Sequence, residues 1–260
     1  IGKALGGVPL EPEKSKNWGL GVVWSPGSNL NMSLDYYDIK LKDQITTLGF
    51  QTAVDIAACA NPLPGHAPDP TFCSQIPDQL PPNASVTRNP NTGKITLIVA
   101  PAFNAGGFHT TGFDYDVNYK WATAVGTFNP DLQISYVKKF ETKVFATSPA
   151  VTALGFAAPK LRSVATLNWS KGDFGASIIG NLIGPSSQFR GGVKIAMPYY
   201  TTWDVQGTWS TPWKGKVTAG IRNIADRTPP LRSSLPFPYY LQSQYDFLGR
   251  VPYLQYEQNF

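Results

Sequence analysis

Charge is scarce in this sequence, long apolar runs are missing, and cysteine is nearly absent. Asp, Glu, Lys and Arg make up 15% of the 260 residues, against about a quarter in ordinary globular domains. The net charge is +5, but the basic residues are scattered, so no nucleic-acid partner is expected. No stretch approaches the ~18 apolar residues of a membrane helix. The longest uncharged stretches, residues 144–159 and 174–189, are broken by Pro, Gly, Ser and Asn. There is no GxSxG, no phosphate-cradling glycine loop before a helix and no metal-spaced His/Glu set, so neither enzyme nor cofactor is expected. Asp114 and Asp116 share a strand face, but a glycosidase pair needs a cleft to serve. His66 and His109 supply too few ligands for a zinc site. The opening IGKALGGVPLEPEKS lacks a basic segment followed by an apolar one, so it does not read as a secretory leader. The chain is expected to be mature or to begin inside something longer.

Aromatics are abundant at 13%, with 24 Gly and 23 Pro, which favours turns and strands over helices. In TGFDYDVNYKWAT, Phe113, Tyr115, Val117, Tyr119 and Trp121 alternate with Asp114, Asp116, Asn118 and Lys120. Such alternation predicts a β-strand with an aromatic face and a polar face. A soluble sheet would turn the rings to a dry core; an outer-membrane barrel would turn them to lipid and the polar side to a wet lumen. A barrel escapes hydropathy scans because only alternate residues meet lipid, which suits a mean hydropathy of −0.18.

The same alternation recurs from Trp18 to Trp24, Leu30 to Tyr36, Leu132 to Phe145, Leu161 to Trp169, Phe174 to Leu182, Trp203 to Trp209, Val217 to Ile221 and Val251 to Phe260. That predicts about nine antiparallel strands, most of them roughly 9–11 residues long, the length a tilted strand needs to cross a bilayer. Beyond Tyr36 the apolar phase shifts to Tyr37, Ile39 and Leu41, predicting a bulge or the exit of the strand from apolar surroundings. Short turns near Pro26, Phe128, Gly172 and Pro212 alternate with long connections at 49–91, 146–159, 189–197 and 225–249, as in barrels with short periplasmic turns and long outer loops. Trp18, Trp24, Trp121, Trp169, Trp203, Trp209 and Trp213 gather near strand ends, as an interfacial girdle would. Cys59 and Cys73 lie in a Pro-rich segment and read as one disulfide formed in an oxidising compartment, with two free thiols as the alternative.

Four ordered motifs carry a resemblance. LEPEKSKNWGLGVVWSPGSNLNMSLDYYDIKLKDQI, FNAGGFHTTGFDYDVNY, GIRNIADRTPP and YDFLGRVPYLQYEQNF resemble, in order, four stretches of TonB-dependent outer-membrane receptors. Gly19 stands where that pattern has an acidic residue, Ala225 where it has Phe, and Pro252 enters the last strand, where it suits an edge. The resemblance implies an all-β fold of antiparallel transmembrane strands forming part of a 22-stranded barrel, with residues 1–260 as its C-terminal part and the plug domain lying elsewhere. It implies residues 49–107 as a long extracellular loop region with the disulfide, and Phe260 as the C-terminal signal for the barrel-assembly machinery. The implied function is uptake of a scarce ligand (siderophore, haem, cobalamin or oligosaccharide) across the bacterial outer membrane. The implied partners are outer-membrane lipid, the remaining strands and plug, and the TonB–ExbB–ExbD complex. Phe113, Tyr115, Tyr119 and Trp121 are then expected to face lipid. Asp114, Asp116, Asn118, Arg162, Asn168 and Asp204 are expected to face the lumen, and His66, Phe72, Phe103 and His109 are candidate ligand contacts. An extracellular β-sandwich adhesin or carbohydrate-binding module, or a passive porin, would share many of these features.

Overall fold

The computed structural model describes residues 2–3, 9–62, 68–74, 76, 78–145, 148–155, 158–190, 193–233, 235 and 238–258, with backbone alone at 2–3, 71, 188–190 and 193–194. The alternating segments form nine long strands. They are β1 (Lys14–Trp24), β2 (Leu30–Lys42), β3 (Gly107–Tyr119), β4 (Gly126–Lys143), β5 (Leu161–Lys171), β6 (Phe174–Ile183), β7 (Tyr200–Ser210), β8 (Gly215–Arg222) and β9 (Val251–Gln258). Each pairs antiparallel with the next in chain order, so the sheet is a single meander with β1 and β9 at its edges. Pro252 is accommodated for that reason: it pairs opposite Ile221 in an edge strand, where the missing N–H interrupts only one ladder.

At one end of the sheet the connections are short: residues 25–29, 120–125, 172–173 and 211–214. At the other end they are long: residues 43–106, 144–160, 184–199 and 223–250. The turn placed near Phe128 lies slightly earlier, at residues 124–125. Trp121–Thr123 folds back on Gly126–Phe128, so β4 begins before Phe128. Pro130 sits where the partner of β4 passes from this short ribbon to β3. The phase shift past Tyr36 is not a bulge in β2, because the register of β2 with β1 and β3 is unbroken. The bulge is in β4, between Val137 and Lys139.

The sheet has no dry interior of its own. Leu20, Val22, Phe174 and Leu254 are exposed at 67%, 62%, 59% and 76%, and no second sheet of comparable size stacks on them among the described residues. A β-sandwich is therefore not the architecture. Burial concentrates in the long connections. Ile195, Met197, Tyr200, Leu235, Leu241 and Tyr245 pack together under segment 223–250. Leu48, Ala53, Ile56, Phe103 and Ala105 form the core of segment 43–106.

That second core rests on an element absent from the sequence reading. Phe50–Ala60 is an α-helix, α1, with Ala53 and Ile56 buried on one face. Its stretch FQTAVDIAACA has neither Pro nor Gly, although both surround it. Cys59 at its end is bonded to Cys73 of α2 (Pro70–Cys73), so the pair is a disulfide and not two thiols. Small ribbons, Ile45–Thr47 with Ala102–Asn104 and Ser85–Arg88 with Ile95–Val99, complete the unit. β3 starts at Gly107, so the connection spans 43–106.

Candidate functional site

Side chains paired across an antiparallel sheet share a face, and the register sorts this sheet into two unlike surfaces. One surface runs in rows such as Leu20–Tyr36–Phe113–Tyr136–Leu161 and Val22–Leu34–Tyr115–Ile134–Ser163–Leu182. Another row is Trp24–Met32–Val117–Leu132–Ala165–Gly180–Trp203. Between the aromatic borders these rows carry no Asp, Glu, Lys or Arg. Tyr119 and Trp121 continue the surface at the short-turn end, where Trp121 packs 5.8 Å from Phe128 and Trp209 5.7 Å from Trp213. At the other border Tyr36 packs between Trp18 and Phe113 in edge-on and tilted contacts, with centroids 5.2 and 5.1 Å away. Phe113, Tyr115, Tyr119 and Trp121 thus lie together on this surface.

The opposite surface is polar. Its rows include Asp35–Asp114–Ser135–Arg162, Ser33–Asp116–Gln133–Val164–Asn181 and Asn31–Asn118–Asp131–Thr166–Ile179–Asp204. Asn118 donates to Asp131 Oδ2 at 3.3 Å, Gln133 donates to Asp131 Oδ1 at 3.2 Å, and Asn181 donates to Asp204 Oδ2 at 3.2 Å. Ser177 donates to Asn168 Oδ1 at 2.6 Å. A hollow of about 350 Å³ opens on this surface, lined by Ser33, Asp114, Asp116, Gln133, Ser135 and Arg162. The six expected lumen residues therefore share a face, and Asp114, Asp116 and Arg162 meet in one hollow. Asp204 lies instead in a second hollow of about 290 Å³ beneath segment 223–250, beside Asn181, Arg222 and Asn223. Asn168 lies further toward the short turns. Asp35, Asp131, Gln133 and Asn181 belong to the same surface and were not singled out from sequence. The alternation that marked Asp114 marks them equally.

The candidate ligand contacts do not converge. Phe103 is 3% exposed, with its ring 5.5 Å from Phe145, so it serves the core of the loop rather than its surface. Phe72 sits half-buried beside Cys73. His109 has the parity of Phe113 and projects from the aromatic side of the sheet, with Nε2 3.0 Å from Asp38 Oδ1. His66 and Phe260 lie outside the described residues.

Two of the motifs are structural. Asn223, 6% exposed, donates to Arg227 O at 2.9 Å and accepts from Arg227 N at 2.9 Å. Its own N–H donates to Asp204 Oδ1 at 2.7 Å. Asp226 Oδ1 accepts from Arg250 N at 2.8 Å, and Arg250 Nε donates to Ile224 O at 2.9 Å. GIRNIADRTPP and YDFLGR thus join β8 to β9. In the same segment Tyr245 packs edge-on to Tyr200 at 5.2 Å, and burial pushes its phenol above the ordinary value.

Comparison with known proteins agrees with this geometry. The family model described as TonB dependent receptor-like, beta-barrel, matches residues 2–224. The siderophore receptor PirA from Acinetobacter baumannii is 13% identical with a TM-score of 0.58, over 95% of this chain and 32% of that one. The FrpB iron transporter from Neisseria meningitidis is 13% identical with a TM-score of 0.58, over 96% and 31%. The copper transporter OprC is 14% identical with a TM-score of 0.56, over 97% and 32%. At these identities the likeness is one of fold, and the chain spans about a third of the length of those structures. No curated protein sequence matches. A one-sheet meander with an uncharged aromatic face, matched by that family model over residues 2–224, places the chain in the TonB-dependent receptor β-barrel family of the bacterial outer membrane.

Proposed function

We propose that the chain builds nine strands of the wall of a larger receptor barrel that takes up a scarce ligand with energy delivered through TonB. The carrying observation is the family match over residues 2–224 on a sheet whose two edges, β1 and β9, are both open. Open edges are not sustained in hydrocarbon, where every backbone N–H and C=O needs a partner. Further strands of the receptor close the barrel, and receptors of this size hold a plug in the lumen.

In this reading Phe113, Tyr115, Tyr119 and Trp121 face lipid. Asp114, Asp116, Asn118, Arg162, Asn168 and Asp204 face the lumen and the plug. Segment 43–106, stapled by Cys59–Cys73, stands outside the cell with segments 144–160, 184–199 and 223–250. The cargo is a scarce ligand, and the structural neighbours named for siderophores, iron and copper make a metal chelate the first class to assay. The wall carries out transport rather than catalysis. TonB–ExbB–ExbD acts through the plug region, and the barrel-assembly machinery inserts the strands.

The test is uptake of radiolabelled ferric siderophores by cells expressing the intact receptor, with and without TonB. Uptake abolished by loss of TonB supports the proposal. Uptake of small solutes that persists without TonB means a passive porin.

A further inference from the structure

Two of the four sequence motifs join β8 to β9, and the other two also meet. LEPEK leads into β1, and FNAGG leads into β3. Asn104 Oδ1 accepts from the backbone N–H of Glu11 at 2.8 Å, and its Nδ2 donates to Glu11 O at 2.8 Å and to Asp43 O at 2.7 Å. A carboxamide offers an acceptor and two N–H donors, and Asn104 uses all three. Beside it, Glu13 Oε1 accepts from the backbone N–H of Ile45 at 2.8 Å, and Lys14 Nζ lies 3.4 Å from both Glu11 and Asp43. Earlier in the same lead-in, Gly2–Lys3 pairs in parallel with Ile98–Val99.

These contacts act on a body that has its own core but stands on a narrow base. Segment 43–106 packs Leu48, Ala53, Ile56, Phe103 and Ala105 together, and Cys59–Cys73 braces it internally. Its two ends leave β2 and β3 side by side, at the Lys42–Gly107 pair. Both exits pass through left-handed backbone, Asp43 at φ 57° and Gly107 at φ 102°. On the β4 side the body rests on Val144 and Phe145, with the Phe103 ring 5.5 Å from that of Phe145 and one backbone bond, Gly106 N–H to Val144 O at 3.1 Å. Apolar contact is non-directional and tolerates rotation, whereas hydrogen bonds fix an angle. Phe103 and Ala105 are both buried, so Asn104 stands between two core residues and passes its constraint straight to them. Glu11 and Glu13 are exposed, where water competes for each bond.

We infer that residues 11–13 form a strap that sets the angle at which segment 43–106 stands on the sheet, with Asn104 and Glu13 as its positioning residues. Released, the segment swings as a unit about Asp43, Gly107 and the Phe145 contact while its core stays closed. The inference goes beyond the uptake reading and stands whichever cargo the receptor carries. It gives LEPEK and FNAGG one shared task, the presentation of the disulfide-stapled segment in a single orientation.

The test measures spin–spin distances in the intact receptor, with nitroxides at Lys94→Cys on the segment and Leu20→Cys on β1, both exposed positions. The double variant Asn104→Ala, Glu13→Ala is expected to broaden the distance distribution about twofold as the segment comes loose locally. Glu13→Gln keeps an acceptor for the Ile45 N–H and should give the parental width. Limited proteolysis within segment 43–106 under non-reducing conditions should be unchanged in every variant, since a swing leaves the core closed. Parental width in the double variant overturns the inference, as does a Glu13→Gln distribution as broad as that of the double variant. Broadening together with rapid cleavage inside the segment also overturns it, because the segment would then be unfolding and not turning. Faster gel migration before boiling certifies that each barrel is folded. Glu13→Ala alone carries the same expectation and the same overturning results if the double variant lacks that migration.

Discussion

The backbone N–H of Arg250 donates to Asp226 Oδ1 at 2.8 Å, binding the start of β9 to the turn that ends β8. Asp226 holds this position at φ 53°, and Gly249 lets it approach, since a Cβ there would lie 2.5 Å from Asp226 Oδ1. Replacing Asp226 by Ala leaves the Arg250 N–H without its charged acceptor. The expected cost is about 1–3 kcal/mol, read as a lower urea midpoint for unfolding of the receptor in detergent. Gly249→Ala should act in the same direction by pushing the carboxylate away. A midpoint unchanged in both variants would show that the two motifs are not mechanically joined.

Ile178 and Ser177 are neighbours in β6 on opposite faces: Ile178 pairs with Leu167 and Val205, and Ser177 with Asn168 and Gln206. Ile178→Arg should therefore destabilise bilayer-folded receptor by about 2–4 kcal/mol if it lies near mid-bilayer. Ser177→Arg, on the polar face of the sheet, should cost far less. Comparable costs at the two positions would refute the assignment of faces.

Asp35 and Asp114 stand directly opposite each other in the sheet. Like charges so placed repel, and Arg162 two strands away in the same row offsets only part of this. Asp114→Asn is expected to stabilise the barrel by about 0.2–1 kcal/mol, measured by urea unfolding. The pair is an opposed acidic couple on the polar face of the sheet. A stability drop in the variant would show that Asp114 has a partner worth more than the repulsion.

The Cys59–Cys73 bridge closes a loop of 14 residues, a constraint of about 3 kcal/mol in the chain-entropy picture. Because the bridge lies within segment 43–106 and outside the sheet, Cys59→Ser with Cys73→Ser should expose α1 and its surroundings to limited proteolysis. The heat-modifiability of the barrel should not change. Loss of barrel migration in the double variant would mean that the loop core is needed for the strands themselves.

The strands and their two faces were legible in the sequence because alternation is a covalent property of extended chain: Phe113 and Asp114 must point opposite ways whatever surrounds them. The same parity carries Asp35, Asp131 and Asn181. Helix α1 escaped because its neighbours are rich in Pro and Gly, and its buried face of Ala53 and Ile56 is too small to stand out. The side taken by His109 was likewise legible only after β3 was known to begin at Gly107. Other features depended on which strand lies beside which. The bulge at Lys138 exists only relative to β3, Asn104 meets Glu11 only when segment 43–106 folds back beside the start of β1, and Asp226 meets Arg250 only when β9 pairs with β8. A single chain dictates the direction of each side chain, whereas hydrogen bonding between distant segments decides the register, and with it which charges and rings become neighbours.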